Sequence, residues 1–246
     1  MRKKGSVHVE IIISFILFAS AVGFALYYFS PTSDRLIDSS FSYLFREISL
    51  NTSVNVETFS VKVNDPGLDT GNVLNVELET SEENNMLHSR VENSNGAVLP
   101  SRFVSESEGL GRVYASSAPF WSGEDSYFYI MLSEDYEDHE NASLISSPEH
   151  NSSFYALSFS NNRELVSEKR LVELKKYYDF NYDLLKKEFN IPNRVNWGFE
   201  VVFMNSTIVA ERNIPQNIEV FSEMKRLEIL RDNGEIVFAD LTVTVW

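Results

Sequence analysis

The chain has 246 residues and no cysteine, and its four histidines are scattered along the sequence. Without cysteine there is no disulfide framework, no thiolate metal site and no cysteine nucleophile. The sequence also contains no GxSxG, P-loop, GxGxxG or HExxH motif. We therefore expect no catalytic residue, no cofactor and no metal site, and the protein is not expected to be an enzyme.

Basic residues are few, with 21 Lys and Arg against 36 Asp and Glu and a net charge of −15. Such an acidic chain is not expected to bind nucleic acid, because phosphate binding needs a basic face. Hydrophobic residues make up 43% of the chain, which is too many for a disordered protein. The length predicts one large domain or two small ones.

The amino-terminal region carries very little charge beyond its basic tip at residues 2–4. After that tip, Glu10 is the only charged residue before Asp34. The stretch 11–29 has no charge and, as a helix, would span about 28 Å, close to the hydrocarbon core of a bilayer. Basic residues before it predict a cytoplasmic amino terminus and an extracellular body.

Two ordinary explanations account for such a segment. The first is a single-pass anchor in the cell membrane. The second is a secretory signal peptide, which needs small residues at a cleavage site after the apolar run. The small residues 19–21 lie in the middle of the run, and residues 30–32 read Ser-Pro-Thr, which makes a poor site.

The first ten residues, MRKKGSVHVE, have a third explanation. They place Gly5 after the basic tip and the single carboxylate of Glu10 at the start of the apolar run. This pattern resembles the prepilin signal of the type IV pilin superfamily, in particular the archaeal class III signal peptide. The resemblance implies that a prepilin-type peptidase cuts between Gly5 and Ser6, removes the leader 1–5 and leaves Glu10 as the fifth mature residue.

The same resemblance implies assembly with other pilin-like subunits. A carboxylate at membrane depth is costly unless it finds a cation, and the new α-amine at Ser6 of a neighbouring subunit supplies one. Small residues between 19 and 25 would let such helices pack closely. Alternatively, Glu10 lies at the membrane interface and reaches water.

Apolar residues at three- and four-residue spacing between 36 and 48 predict that an amphipathic helix follows, capped by Thr32 or Ser33, so that helical structure extends over 6–50. From about Asn51 the period becomes two. Short strands, among them 73–79, 111–116, 126–132 and 153–160, predict a β-sandwich over 54–160. Residues 90–100 read as a hairpin around Asn95 and Gly96. This part faintly resembles jelly-roll or immunoglobulin-like modules, which implies an adhesive or spacing role.

A helix is predicted over 165–189, with a stop at Pro192, followed by strands at 198–204, 207–211 and 224–230 and a hairpin at Asn233-Gly234. The region resembles carboxy-terminal parts of archaeal pilin-like proteins, and Trp246 is expected to pack with the final strand. We infer that the sandwich is inserted before a carboxy-terminal α+β part, 163–246.

Two polar features of the sequence are candidate sites. Residues 134–140 hold five carboxylates, which favours either a divalent cation site or, better, a solvated acidic loop, because the spacing is not that of an EF-hand. His139 and His150 could act as acid and base beside a carboxylate, but polar surface loops explain them more simply.

The sequence therefore predicts an α+β protein with a long amino-terminal membrane helix, a β-sandwich head, and a carboxy-terminal helix with a small antiparallel sheet. The expected function is that of a minor pilin-like subunit of an archaeal cell-surface filament or secretion pseudopilus. The alternative is a monomeric, single-pass surface protein whose sandwich binds a ligand or carbohydrate.

Overall fold

The structure is a computed structural model that describes residues 6–29, 33–63, 73–80, 87–107, 109–116, 127–137, 149–150 and 155–246. The chain divides into two compact units, Met1–Arg46 and Glu47–Trp246. The predicted leader 1–5 lies outside the described residues.

The first helix, α1, runs without interruption over Ser6–Phe29. At about 1.5 Å per residue, it forms a rod roughly 36 Å long. Its described side chains, Ile12–Phe24, are all exposed. Phe15 and Phe18 are 69% and 67% exposed.

The second helix, α2, spans Ser33–Thr52 and has the predicted apolar stripe. Phe41, Phe45 and Ile48 are each less than 5% exposed. At the end of the helix, the hydroxyl of Thr52 donates to the carbonyl oxygen of Ile48 at 2.7 Å. The first strand begins at the next residue.

Thirteen strands are present in the described part of Glu47–Trp246. The first eight are β1 (Ser53–Val63), β2 (Val73–Glu79), β3 (His88–Asn93), β4 (Val98–Leu99), β5 (Ser101–Ser107), β6 (Leu110–Ser116), β7 (Tyr127–Ser133) and β8 (Glu149–His150). The remaining elements are β9 (Tyr155–Ser167), α3 (Glu168–Glu188), β10 (Trp197–Val202), β11 (Thr207–Ala210), β12 (Phe221–Leu230) and β13 (Ile236–Val245).

The strands form two sheets. The larger has nine strands in the order β11-β10-β13-β12-β9-β1-β7-β3-β4, and the smaller has the order β5-β6-β2-β8. Pairs are antiparallel except β9 with β12 and β2 with β8. The α+β class is therefore confirmed, with a large mixed sheet and a small one.

Both sheets contribute to one buried core. Alternate residues of β1, β2, β6 and β7 point into it because successive side chains of a strand face opposite ways. Members of this core include Phe59, Val61, Leu74, Val76, Leu78, Val113, Phe128 and Ile130.

The helix α3 begins at Glu168, so its predicted start at Leu165 is wrong. Residues 165–167 are the end of β9, and the Ser167 side chain caps the helix by accepting from the Arg170 N–H at 3.3 Å. The predicted buried side of the helix is confirmed. It consists of Leu171, Leu174, Tyr178, Leu185 and Phe189, together with Tyr182 and the buried Lys186.

The predicted junction between 54–160 and 163–246 falls inside β9. This strand pairs with β1 from Tyr155 to Val166 and then with β12 at Val166 and Ser167. One sheet thus passes through both predicted parts. The division into a sandwich and a carboxy-terminal part stays a prediction.

Candidate functional site

The predicted assembly residues lie at the amino-terminal end of α1. Gly5 lies outside the described residues, whereas Ser6 and Glu10 belong to the helix. Four positions separate these two residues, which places them one turn apart on the same face of the helix. The peptidase site and the role of Glu10 stay predictions.

Residues Ile12–Phe24 of α1 form an apolar surface in which every side chain is exposed. Contiguous apolar surface of this kind is rare on a soluble monomer and marks contact with lipid or protein. Among the residues that the structure describes, no helix has both the length and the hydropathy needed to cross a membrane.

The acidic segment 134–140 is described as far as residue 137, and its first two carboxylates bind an arginine. Arg170, in the first turn of α3, donates to Glu134 at 2.9 Å and to Asp135 at 3.2 Å. Its remaining nitrogen donates to the carbonyl oxygen of Ser53 at 2.5 Å. Glu134 and Asp135 are therefore ion-pair partners of Arg170, whereas Glu137 is exposed, and residues 138–140 of the predicted solvated loop lie outside the described residues.

The histidines do not form a site in the described part of the chain. His139 lies outside it, and His150 lies in β8, with an undescribed side chain. Within the described ranges, no group of three or more acidic or histidine side chains could hold a metal ion.

A buried aromatic cluster connects α3 to β10. The Tyr178 hydroxyl donates to the carbonyl oxygen of Trp197 at 2.5 Å, and the Tyr182 hydroxyl accepts a hydrogen bond from the backbone N–H of Trp197 at 3.0 Å. The three rings meet edge-to-face, with centroids 4.9 and 5.4 Å apart. Burial raises the pKa of both tyrosines above its ordinary value. These hydroxyls are used internally, so the cluster holds the helix on the sheet.

A cleft of about 590 Å³ opens between the edges of the two sheets. Its size is within the range of ligand-binding clefts. Apolar residues line much of it, and two carboxylates and two serines complete the lining. The lining residues are Phe59, Glu77, Leu78, Glu79, Leu110, Leu157, Ser158, Phe159 and Ser160.

Sequence reasoning missed both Arg170 and this cleft. Arg170 stands among several basic residues of α3, and its partners lie about 35 positions earlier. The cleft comes from two strands that are nearly 80 residues apart, Val73–Glu79 and Tyr155–Ser167. The one available signal was the uncharged run 155–162, which is long for an exposed strand edge.

The described lining of the cleft brings together two carboxylates, Glu77 and Glu79. Its Glu77 side chain lies 3.6 Å from Arg112, and its serines have no histidine among the lining residues. The apolar and acidic side chains of the cleft can contact a bound ligand. Comparison with protein-family models, curated proteins and solved structures gave no match for this chain.

Proposed function

We propose that the protein is a structural, pilin-like subunit, of the minor type, of an archaeal cell-surface filament or secretion pseudopilus. In this proposal α1 is a membrane helix, and a β-sandwich head stands outside the cell together with α3 and the carboxy-terminal strands, which belong to the nine-stranded sheet. A prepilin-type peptidase removes residues 1–5, and other pilin-like subunits bind through α1. The acidic head, part of a 28.2 kDa chain, favours a minor subunit over a bulk one.

The observation that carries the proposal is the exposure of α1. Its described apolar side chains are exposed, Phe15 and Phe18 by 69% and 67%, although burying each one would contribute about 1.5–3 kcal/mol. Lipid covers them before assembly, and neighbouring helices replace the lipid in a filament. Small residues such as Ala19, Ala21 and Gly23 allow those helices to approach closely.

The position of Glu10 supports the same proposal. Cleavage after Gly5 would leave an α-amine at Ser6, one helical turn before Glu10. At membrane depth a carboxylate needs a cationic partner. The α-amine of a neighbouring subunit supplies that partner and fixes the axial offset between adjacent helices.

The first test is mass spectrometry of protein purified from cell membranes or surface filaments. A chain that starts at Ser6 is the expected result. A chain that starts at Met1 or Arg2 would show that no leader is removed, and would exclude processing by a prepilin-type peptidase.

The second test compares Glu10→Gln with Glu10→Asp. The Gln variant keeps the size of the side chain but loses the charge, so it should reach the membrane and fail to crosslink into oligomers. The Asp variant keeps the charge and should assemble better than the Gln variant. Equal assembly of all three proteins would refute the role of Glu10.

The cleft favours a second candidate function, a monomeric membrane-anchored surface protein that binds a ligand through its head. This function needs no processing at Gly5 and no contact between copies. Crosslinking that finds only single molecules in the membrane would favour it over the filament subunit.

A further inference from the structure

Among the described residues, no strand pairs with one edge of β9 over much of its length. Its first edge pairs with β1 from Tyr155 to Val166. Its second edge pairs with β12 only at Val166 and Ser167. Within the described residues, no strand pairs with the second edge between Ala156 and Asn161. Backbone groups along this stretch are therefore available to an added strand.

This edge lacks the residues that usually prevent an exposed strand from pairing with another chain. The outer strands of the nine-stranded sheet are short, with four residues in β11 and two in β4, which limits unwanted pairing. By contrast, 156–161 has no charge, proline or glycine. Leu157 and Phe159 are 48% and 60% exposed. An uncharged, exposed edge of this kind is a template for another strand.

The cleft provides room for that strand. On its opposite wall, the described part of β2 pairs with β8 only at Val73 and Leu74. At one end of the cleft, the Tyr155 hydroxyl accepts the backbone N–H of Glu77 at 2.9 Å and connects the two sheets. Between them, Leu110, Leu157 and Phe159, all at least partly exposed, present an apolar floor to alternate side chains of an added strand.

The negative charge of the cleft favours a basic polypeptide as its ligand. Two carboxylates, Glu77 and Glu79, line it, and its lining contains no basic side chain. Arg112 lies 3.6 Å from Glu77, whereas no cation is within ion-pair distance of Glu79 in the described structure. A basic residue on the occupant would complement Glu79. A second copy, with a net charge of −15, is the poorer partner.

We propose that this cleft binds an extended segment of another polypeptide, with alternating apolar and basic residues, which adds to β9 as a further strand. Main-chain hydrogen bonds to Ala156–Asn161 supply affinity, and the apolar floor and Glu79 supply specificity. The inference goes beyond assembly through α1 and does not depend on it. Regularly spaced backbone groups fit a peptide better than they fit an oligosaccharide.

The test uses the full chain in detergent micelles and three labelled synthetic peptides. The first alternates valine and lysine, the second replaces lysine by glutamate, and the third is the lysine peptide with N-methylated backbone amides. Fluorescence anisotropy should show binding of the lysine peptide. The glutamate peptide should bind about tenfold more weakly, because it loses one ion pair with Glu79 and gains a repulsion in its place. The N-methylated peptide should not bind, because it cannot form the ladder.

Variants of the protein locate the binding. Leu157→Lys should abolish binding of the lysine peptide, and Glu79→Lys should reverse the preference between the lysine and glutamate peptides. Met204→Lys is the matched control, since Met204 is 97% exposed and does not line the cleft. All three positions are on the surface or at the cleft rim, so circular dichroism should show an unchanged fold.

Four results would overturn the inference. They are no binding of the lysine peptide at millimolar concentration, equal binding of its N-methylated form, and equal effects of Leu157→Lys and Met204→Lys. The fourth is displacement of the bound lysine peptide by cellohexaose, which would show that the cleft is a carbohydrate site.

Discussion

Arg170 holds Glu134, which precedes it by 36 positions, through a charge-assisted hydrogen bond of 2.9 Å. The same guanidinium lies 3.2 Å from Asp135, whose side chain is only 9% exposed. Because α3 follows β9 and the two carboxylates lie just after the end of β7, this arginine joins the start of the helix to the end of β7. Replacing Arg170 therefore measures how much this contact between α3 and the end of β7 contributes to stability.

Arg170→Gln should lower the free energy of unfolding by about 1.5–3 kcal/mol, because it removes charge-assisted bonds and leaves Asp135 nearly buried without its cation. Urea unfolding of the full chain in micelles measures the change. Lys175→Gln is the control. It breaks an exposed pair with Asp179 one turn along the helix and should cost about 0.5 kcal/mol or less. Equal losses in both variants would contradict a special role for Arg170.

Tyr182→Phe should lower the free energy of unfolding by about 1–3 kcal/mol. The Tyr182 phenol accepts a hydrogen bond from the buried backbone N–H of Trp197, and phenylalanine would leave that backbone donor without this acceptor. Thermal unfolding compares this variant with Tyr177→Phe, whose hydroxyl bonds Glu188 at an exposed site. Similar midpoints for the two variants would show that the buried hydrogen bond contributes little.

The unit Glu47–Trp246 should lose stability in alkaline solution. Burial raises the pKa of Tyr136 and Tyr178 above the ordinary value near 10. Above that pH the unfolded chain releases phenolic protons that the folded chain keeps. The unfolded state then binds fewer protons, so the free energy of unfolding falls as pH rises above about 10.

Tyr136→Phe isolates one contribution to this loss. The buried Tyr136 hydroxyl has no hydrogen-bond partner in the described structure, so the variant should keep its neutral-pH stability. Above pH 10, the free energy of unfolding of this variant should fall less steeply with pH than that of the original chain. Urea unfolding at several pH values on both sides of pH 10 measures the slope of the unfolding free energy against pH. Identical slopes for the two proteins would show that the Tyr136 phenol does not contribute to the loss.

Trp246→Ala should cost about 3–5 kcal/mol, the usual effect of truncating a buried aromatic side chain. Trp246 is 9% exposed, and its backbone exchanges two hydrogen bonds with Asn196, at 2.8 and 2.9 Å. Met204→Ala provides the control at an exposed position. Calorimetry should show a large drop in the melting temperature for the first variant and almost none for the second.

Local signals predicted much of the secondary structure. Both Asn-Gly hairpins are confirmed, since Gly96 and Gly234 adopt positive φ angles of 78° and 81°. At Gly234 an added Cβ would also lie 2.7 Å from the Arg90 side chain. The strand predicted at 73–79 has the same bounds in the structure. These features depend on a few adjacent residues, which is why the pattern reveals them.

Long-range pairing accounts for what the sequence did not predict. Leu165–Ser167 has helical periodicity, yet it is strand because Val166 pairs with Ser53 and Ile229. The strand Ser101–Ser107 was missed because its residues are largely polar and it is defined by pairing with β6. The cleft likewise depends on the relative position of β2 and β9. The assembly role of Glu10 stays a prediction.

The position of β1 between β7 and β9 has a consequence for biogenesis. Val54 pairs with Leu165, which is 111 positions later in the chain. At a synthesis rate of about 5–20 residues per second, the first strand waits about 6–22 s for its second neighbour. During that interval its alternating apolar side chains have no completed core. A chain built this way folds late, and a factor that shields β1 as it emerges would raise the yield of native protein.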